Sequence, residues 1–272
     1  VSDRMVSFYK ERARGGAGLI IVEDCIVEAP RGKHSMNDIY IDDDKYIPGL
    51  HRLAQAIEDQ GSVPAIQLSH GGYKAGRVHD GRLLMTHGQM PVAPSATAFS
   101  ATGFVVPQEL TIEEIGEIED KFAESALRAK EAGFKVISLH CTHGYLIEQF
   151  MSPLSNKRQD AYGGDLEKRF RFLGEIIYKI KQKIGDDFPL MCRISGEEIE
   201  EGGITLDNAR RYARKLEACG VHSISVCVGG CMPGMRPDYL GVPVAISPMR
   251  SPRGELVYLA AAIKDVLSIP VM

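Results

Sequence analysis

Tryptophan is missing from this 272-residue sequence, and aromatic residues make up only 7% of it. Whatever core it forms must be filled mainly by aliphatic side chains. No apolar run approaches the roughly 20 residues needed to cross a bilayer, and the opening residues do not read as a signal segment. Neither sign of charge dominates: 32 Lys and Arg stand against 36 Asp and Glu, a formal net charge of −4. That balance gives no electrostatic reason to expect nucleic acid or an anionic membrane as partner. Cysteine is sparse and unpatterned. Cys25, Cys141, Cys192, Cys219, Cys227 and Cys231 are scattered through apolar surroundings, and the Cys227–Cys231 spacing has no matching second pair. This argues against a zinc or iron–sulfur site built from this chain alone and reads as free thiols in a reducing, cytoplasmic compartment. A Gly-x-Gly-x-x-Gly turn after the first apolar run is also lacking, which argues against a dinucleotide-binding doubly wound sheet.

What is there is an alternation of short β-branched runs with longer stretches of helical period. GLIIVE (18–23), SVPAIQLS (62–69), KVISLH (135–140), LMCRIS (190–195), SISVCVG (223–229) and IPVM (269–272) read as buried parallel strands. Between them, Thr111 with Glu114 forms a capping box, and Ile115, Ile118, Phe122, Ala126 and Ala129 share one helical face that stops at Gly133. Leu166, Phe170, Leu173, Ile177, Ile180 and Ile184 make a second stripe, and a third helix opens at Thr205 and closes at Gly220. Polar residues gather just after strand ends, at Glu23-Asp24, His70, His140 to Tyr145 and Arg193. The expectation is α/β, a (β/α)₈ TIM barrel in one domain over residues 1–272, with a long loop at 70–110. About six of eight strands are recognisable, so the first and last are expected to lie outside this sequence, truncated at both ends.

The chemistry concentrates in HCTHGY (140–145). Period two puts Val136, Ser138 and His140 on one face and Ile137 and Leu139 on the other, so His140 points into the barrel mouth with His143 and Tyr145 within reach. A metal reading needs further ligands, such as His70, and no spacing specifies one. A nucleophile reading needs Cys141 beside an imidazole, yet alternation points it away. There remains a pair of imidazole donors able to hold an electron-rich oxygen, with a phenol nearby as proton donor.

HCTHGYLIEQFMSPLSNKRQDAYGGDLEKRFRF (140–172) resembles the Old Yellow Enzyme family of FMN-dependent ene-reductases, in the branch of the 2,4-dienoyl-CoA reductases and NADH:flavin oxidoreductases. AIQLSHGG, APSA, CRISGEEIEEGGIT and GVHSISVCVGG resemble further family segments in the right order. The resemblance implies FMN over the barrel mouth and NAD(P)H as hydride source for reducing an activated C=C bond. By the same resemblance Gln67 and Arg193 contact the flavin, with Glu23 and the backbone of Asp24 at its edge, although the family often has a smaller residue than Asp24. His140 and His143 would bind the carbonyl of an unsaturated small-molecule substrate, and Tyr145 would protonate the α-carbon. His70 and Tyr73 fall in the substrate pocket; Tyr73 stands where the family commonly has arginine, which Lys74 or Arg77 could replace.

Arg158, Asp160 and Arg169 read as scaffold, and no metal site is expected. A 4Fe–4S cluster and FAD would belong to a region after Met272. A homo-oligomer is compatible with the sequence. The rival readings are an amine-type flavin dehydrogenase on the same barrel and a catalytically inactive fragment.

Overall fold

The structure, a computed structural model of the chain, describes residues 1–35, 37–76, 78–79, 82–83, 86–97, 105–198, 200–230, 236–237, 243–244 and 252–272. Arg77 and Cys231 lie outside the described residues. Helix α1 (Asp3–Arg14) leads into strand β1 (Leu19–Ile26), followed by a two-residue strand β2 (Ile39–Tyr40) and helix α2 (Ile47–Glu58). Strand β3 (Val63–Ser69) opens the long loop, and helix α3 (Ile112–Glu131) closes it. Then come β4 (Val136–Cys141), α4 (Leu146–Met151), α5 (Leu166–Ile184), β5 (Leu190–Glu198), α6 (Leu206–Ala218), β6 (Ser223–Gly229) and α7 (Val257–Lys264).

The sheet order is β6-β5-β4-β3-β1-β2, and every pair in it is parallel. The five long strands keep their chain order across the sheet, with no reversal of the kind that marks a doubly wound sheet. Side chains from all five surround one cavity, which a flat sheet could not arrange. This is the wall of a barrel. IPVM joins at the β6 edge as expected, parallel to it, through backbone hydrogen bonds from Ile224 N–H to Pro270, Met272 N–H to Ile224 and Val226 N–H to Met272. The short β2 on the far side of β1 was not expected: two residues are too few to give a periodic signal.

Hydrophobic period explains the layers. Ile137 and Leu139 are fully buried against the outer helices, while Ser138 and His140 face inward. The stripe foreseen on α3 is buried throughout, and the Thr111–Glu114 capping box forms. On α5 the foreseen stripe is buried as well, behind an Asp165 N-cap. The scaffold reading of Arg158 and Asp160, in the segment 155–172, also holds. Arg158 is buried, pairs with Asp160 at 2.6 Å, and donates to the Pro94 and Leu110 carbonyls at 2.8 and 2.7 Å. It thereby ties the middle and the C-terminal end of the long loop to the β4–α5 connection.

A second buried knot fixes the segment after β4. Glu148, fully buried on α4, accepts the Gly144 N–H at one carboxyl oxygen and bonds the Ser195 hydroxyl of β5 at the other. The Ser195 and Thr142 hydroxyls are 2.6 Å apart. Gln149 donates to the carbonyls of Gly144 at 2.7 Å and Gly71 at 3.2 Å. Gly144 has φ of 70°, and a Cβ there would come within 2.6 Å of the Gly230 carbonyl, so only glycine fits this turn. Burial, with Glu198 adding to it, raises the Glu148 pKa from 4.5 to about 8.

Two outcomes follow. Arg158→Ala is expected to lower unfolding stability in urea by about 3 kcal/mol, because it strips two buried carbonyls and one carboxylate of their partner. For Glu148 the folded state holds the proton more tightly than the unfolded chain. Its stabilisation is therefore complete below about pH 4.5 and is lost as pH rises to about 8, by at most about 1.4 kcal/mol per pH unit. Glu148→Gln, which cannot ionise, is expected to flatten that part of the stability-against-pH curve measured by urea melts.

Candidate active site

Strand register assembles the floor of the mouth. Gln67 on β3 pairs with Ser138 on β4, and Arg193 on β5 lies beside both His140 and Ser225. With Ile21 and Glu23 from β1, the residues Gln67, Ser138, Arg193 and Ser225 line a cavity of about 130 Å³. Gln67 donates to the Ser138 hydroxyl at 3.3 Å. Arg193 Nε is buried with no hydrogen-bond partner. Glu23 lines the same floor but is itself exposed.

Two residues further along β4, His140 begins the rim. Its ring meets those of His143 and Tyr145 edge-on, at centroid distances of 5.1 and 4.8 Å. His143 has φ of 59°, in the left-handed region, where the turn leaving β4 bends sharply towards α4. Lys74 donates to the His143 carbonyl and lies 5.3 Å over the Tyr145 ring. The remaining wall comes from β1. Its pairing with β3 shifts register between Val22 and Cys25, and in that bulge Asp24 takes φ of 36°. The Asp24 carboxylate is thereby turned into the mouth, 3.5 Å from His140 Nε2 and 3.7 Å from His34 Nε2. His34 stacks on Tyr145 at 4.4 Å, with Asp38 3.7 Å behind its Nδ1.

Burial sets the protonation states. It holds His140 well below the usual imidazole range, helped by His143, Arg193, His34 and Lys74. His143 falls to about 4, through burial and then the charges of Arg193 and Lys74. Both rings are therefore neutral near pH 7. Burial, then the Asp24 and Asp38 charges, raises the Tyr145 phenol above its ordinary range, so it stays protonated. The Asp24 carboxyl is raised by burial against the opposing pull of His34.

The structure brings together His140, His143 and Tyr145 at the rim, and Gln67, Arg193 and Glu23 at the floor, with Asp24 between them. It does not bring in two others. His70 is buried with both ring nitrogens used: Nε2 lies 2.8 Å from Glu28, and Nδ1 accepts the Gly72 N–H at 3.0 Å. Glu28 in turn binds Lys121 at 2.8 Å and Arg31 at 3.0 Å. The substrate-pocket expectation for His70 is corrected: it ties the β1 and β3 loops to α3. Tyr73 is also fully buried, in the 3₁₀ turn Gly72–Gly76, and Lys74 reaches the rim instead. Sequence reasoning missed His34, Asp38 and the anchoring Glu148. His34 sits in an aperiodic loop and offered no local signal.

The cofactor expectation can be tested against these residues. A flavin pyrimidine edge presents two carbonyl oxygens and an N–H. Gln67 offers both a donor and an acceptor, and Arg193 Nε is a buried donor without a partner. The donor set fits.

A sequence model of the NADH:flavin oxidoreductase / NADH oxidase family matches residues 1–233. An NADH oxidase of Thermoanaerobacter brockii is 44% identical over the whole of this chain, which covers 40% of that protein. The structure of a 2-naphthoyl-CoA reductase bound to 2-naphthoyl-CoA superimposes with a TM-score of 0.86 at 29% identity, over all of this chain and 41% of the other. Histamine dehydrogenase from Rhizobium sp. 4-9 superimposes with a TM-score of 0.81 at 26% identity, over 98% of this chain and 37% of the other. The chain thus spans about two fifths of the length of each of these three proteins. With its donor set and strand order, it belongs to the NADH:flavin oxidoreductase / NADH oxidase family, the Old Yellow Enzyme family, whose members carry a flavin on a (β/α)₈ barrel.

Proposed function

We propose that this chain is the flavin-binding barrel of an FMN-dependent oxidoreductase that takes hydride from NADH or NADPH and reduces a C=C bond conjugated to a carbonyl. The observation that carries the reading is the convergence of two neutral imidazoles and a protonated phenol, the His143 and Tyr145 rings each about 5 Å from that of His140, at the strand end next to Arg193.

Gln67 and Arg193 would hold the FMN pyrimidine edge, with Glu23 and the Asp24 backbone beside the ring. Bound FMN supplies hydride transfer between the nicotinamide and the substrate. The chain's own residues do the rest. His140 and His143 orient the substrate carbonyl and donate hydrogen bonds to its oxygen. As negative charge grows there, these fixed donors strengthen, which lowers the barrier more than it tightens ground-state binding. Tyr145 delivers its phenolic proton to the α-carbon, and its raised pKa keeps that proton in place at neutral pH. Lys74 braces the turn by bonding the His143 carbonyl.

A second reading, an amine-type dehydrogenase, is favoured by the buried Asp24 carboxylate at the rim, which could take an ammonium group, and by the likeness to histamine dehydrogenase. The two His donors and the nearby Lys74 and Arg193 charges weigh against a cationic substrate.

Mixing the chain with excess FMN, desalting and recording the visible spectrum tests the reading. Retained flavin that is bleached by NADH or NADPH and restored by 2-cyclohexenone without oxygen is the expected result. Bleaching by an amine, with no response to the enone, would overturn it in favour of the second reading. Tyr145→Phe is expected to slow the enone step about 10²–10⁴-fold while leaving flavin retention and bleaching unchanged.

A further inference from the structure

The Tyr145 phenol has to be aimed, and no hydrogen bond aims it. Its backbone is fixed at the N-cap of α4, where its N–H bonds the Thr142 carbonyl at 3.3 Å. Among the described residues no hydrogen bond reaches its hydroxyl. A phenol that gives its proton to carbon gains from having no competing acceptor, but its ring is then held only by what packs against it. His140 meets the ring edge-on at 4.8 Å, Lys74 Nζ lies 5.3 Å over it, and His34 stacks on it at 4.4 Å with the planes 25° apart. Of these, His34 is the one that lies nearly parallel to the ring, so it is the contact that resists rotation out of that plane.

The ring of His34 is placed by its loop and not by hydrogen bonds of its own. Asp38, its side chain 3% exposed, accepts the His34 and Ser35 N–H groups at one carboxyl oxygen, at 3.0 and 2.9 Å. Two residues earlier, the Gly32 carbonyl accepts the Gly71 N–H at 2.7 Å, and a Cβ on Gly32 would come within 2.6 Å of the His70 ring. His70 in turn bonds Glu28 at the start of the loop, at 2.8 Å. The imidazole so placed is 8% exposed, and its Nε2 is buried without a hydrogen-bond partner. Carboxylate oxygens of Asp24 and Asp38 stand 3.7 Å from Nε2 and Nδ1, beyond hydrogen-bond distance. The close contact that this ring makes is the stack on Tyr145.

We propose that His34 is a positioning residue for Tyr145: held by Asp38 and by the Gly32–Gly71 bond, it stacks on the phenol and keeps the hydroxyl aimed at the substrate α-carbon. The proposal rests on the carbonyl-reducing reading above. Once hydride has reached the β-carbon, the former C=C electron pair is shared by the α-carbon and the carbonyl oxygen. The Tyr145 O–H bond then breaks, a C–H bond forms at the α-carbon, and the phenolate regains a proton from water. Such a transfer tolerates little misalignment, since about 1 Å of misplacement can cost about 10²-fold in rate. His34 acts on that step alone, because the substrate oxygen is held by His140 and His143.

Two variants separate stacking from the chemistry of the imidazole itself. His34→Phe keeps a flat ring without nitrogen, and His34→Ala removes the ring. In the full chain without FMN, ¹³C relaxation of labelled tyrosine rings, assigned with Tyr145→Phe, reads the mobility of Tyr145. The expected result is a rigid ring in the native chain and in His34→Phe, and a mobile one in His34→Ala. An equally rigid ring in all three would overturn the proposal. In FMN-loaded protein reduced by dithionite without oxygen, the limiting rate of reoxidation by 2-cyclohexenone is expected to fall about tenfold or more in His34→Ala. In His34→Phe it is expected to stay within about twofold of native. The enone concentration at half the limiting rate is expected to be alike in all three chains, as is reoxidation by ferricyanide, which needs no proton donor. A His34→Phe rate as low as that of His34→Ala would overturn stacking as the means, and an undiminished His34→Ala rate would overturn the role altogether. No enone reoxidation in the native chain, with normal ferricyanide reoxidation, would count instead against the reading on which the proposal rests. The mobility of Tyr145 would still decide whether His34 holds its ring.

Discussion

Everything at the mouth depends on the in-register parallel pairing of five strands. Gln67 stands opposite Ser138, His140 opposite Arg193, and Arg193 opposite Ser225 in the register that also buries Ile137 and Leu139. Side chains alternate with period two, so a slip of one residue in β4 would send His140 among the outer helices and Leu139 into the mouth. The hydrophobic layer between sheet and helices thus fixes the polar layer inside.

The same enclosure sets the chemistry. Removing the rim from water keeps His140 and His143 neutral and the Tyr145 phenol protonated, which are the states a carbonyl-activating site requires. Enclosure has a structural counterpart in Glu148. A buried carboxyl holding the Gly144 N–H and the Ser195 hydroxyl lets the turn after β4 take two successive left-handed residues, His143 and Gly144, without leaving its backbone unpaired. Several of the buried polar atoms without a partner gather at this mouth: Asp24 Oδ1, His34 Nε2, His140 Nδ1 and Arg193 Nε. Other buried polar side chains, Arg158 and His70 among them, are tied into knots. Polar atoms left open at one cavity are what a binding site for polar ligands requires.

The barrel wall at β1 supplies the remaining side chains of the rim. The bulge at Glu23 and Asp24 introduces a carboxyl between two imidazoles, and the loop from 28 to 38 supplies the His34 that stacks on Tyr145. The rim side chains at and just after the end of β4 therefore meet groups from β1 and its following loop across the mouth, rather than along their own strand.

The sequence by itself determined the barrel class, because strand and helix periods are local, and it determined the rim, because HCTHGY places its side chains within one strand end and one turn. The helix faces and caps of α3 and α5 were legible for the same reason, and so was the scaffold role of Arg158 and Asp160. Only the tertiary structure decided the fates of His70, Tyr73, His34 and Asp24. What a ring nitrogen or a carboxyl does depends on the partner it meets, and those partners come from distant elements: Glu28 for His70 from 42 residues away, His140 for Asp24 from two strands across the sheet. No local pattern encodes such a meeting, since it is the packing of the hydrophobic layer, and not the spacing of polar residues, that brings the two side chains to one place.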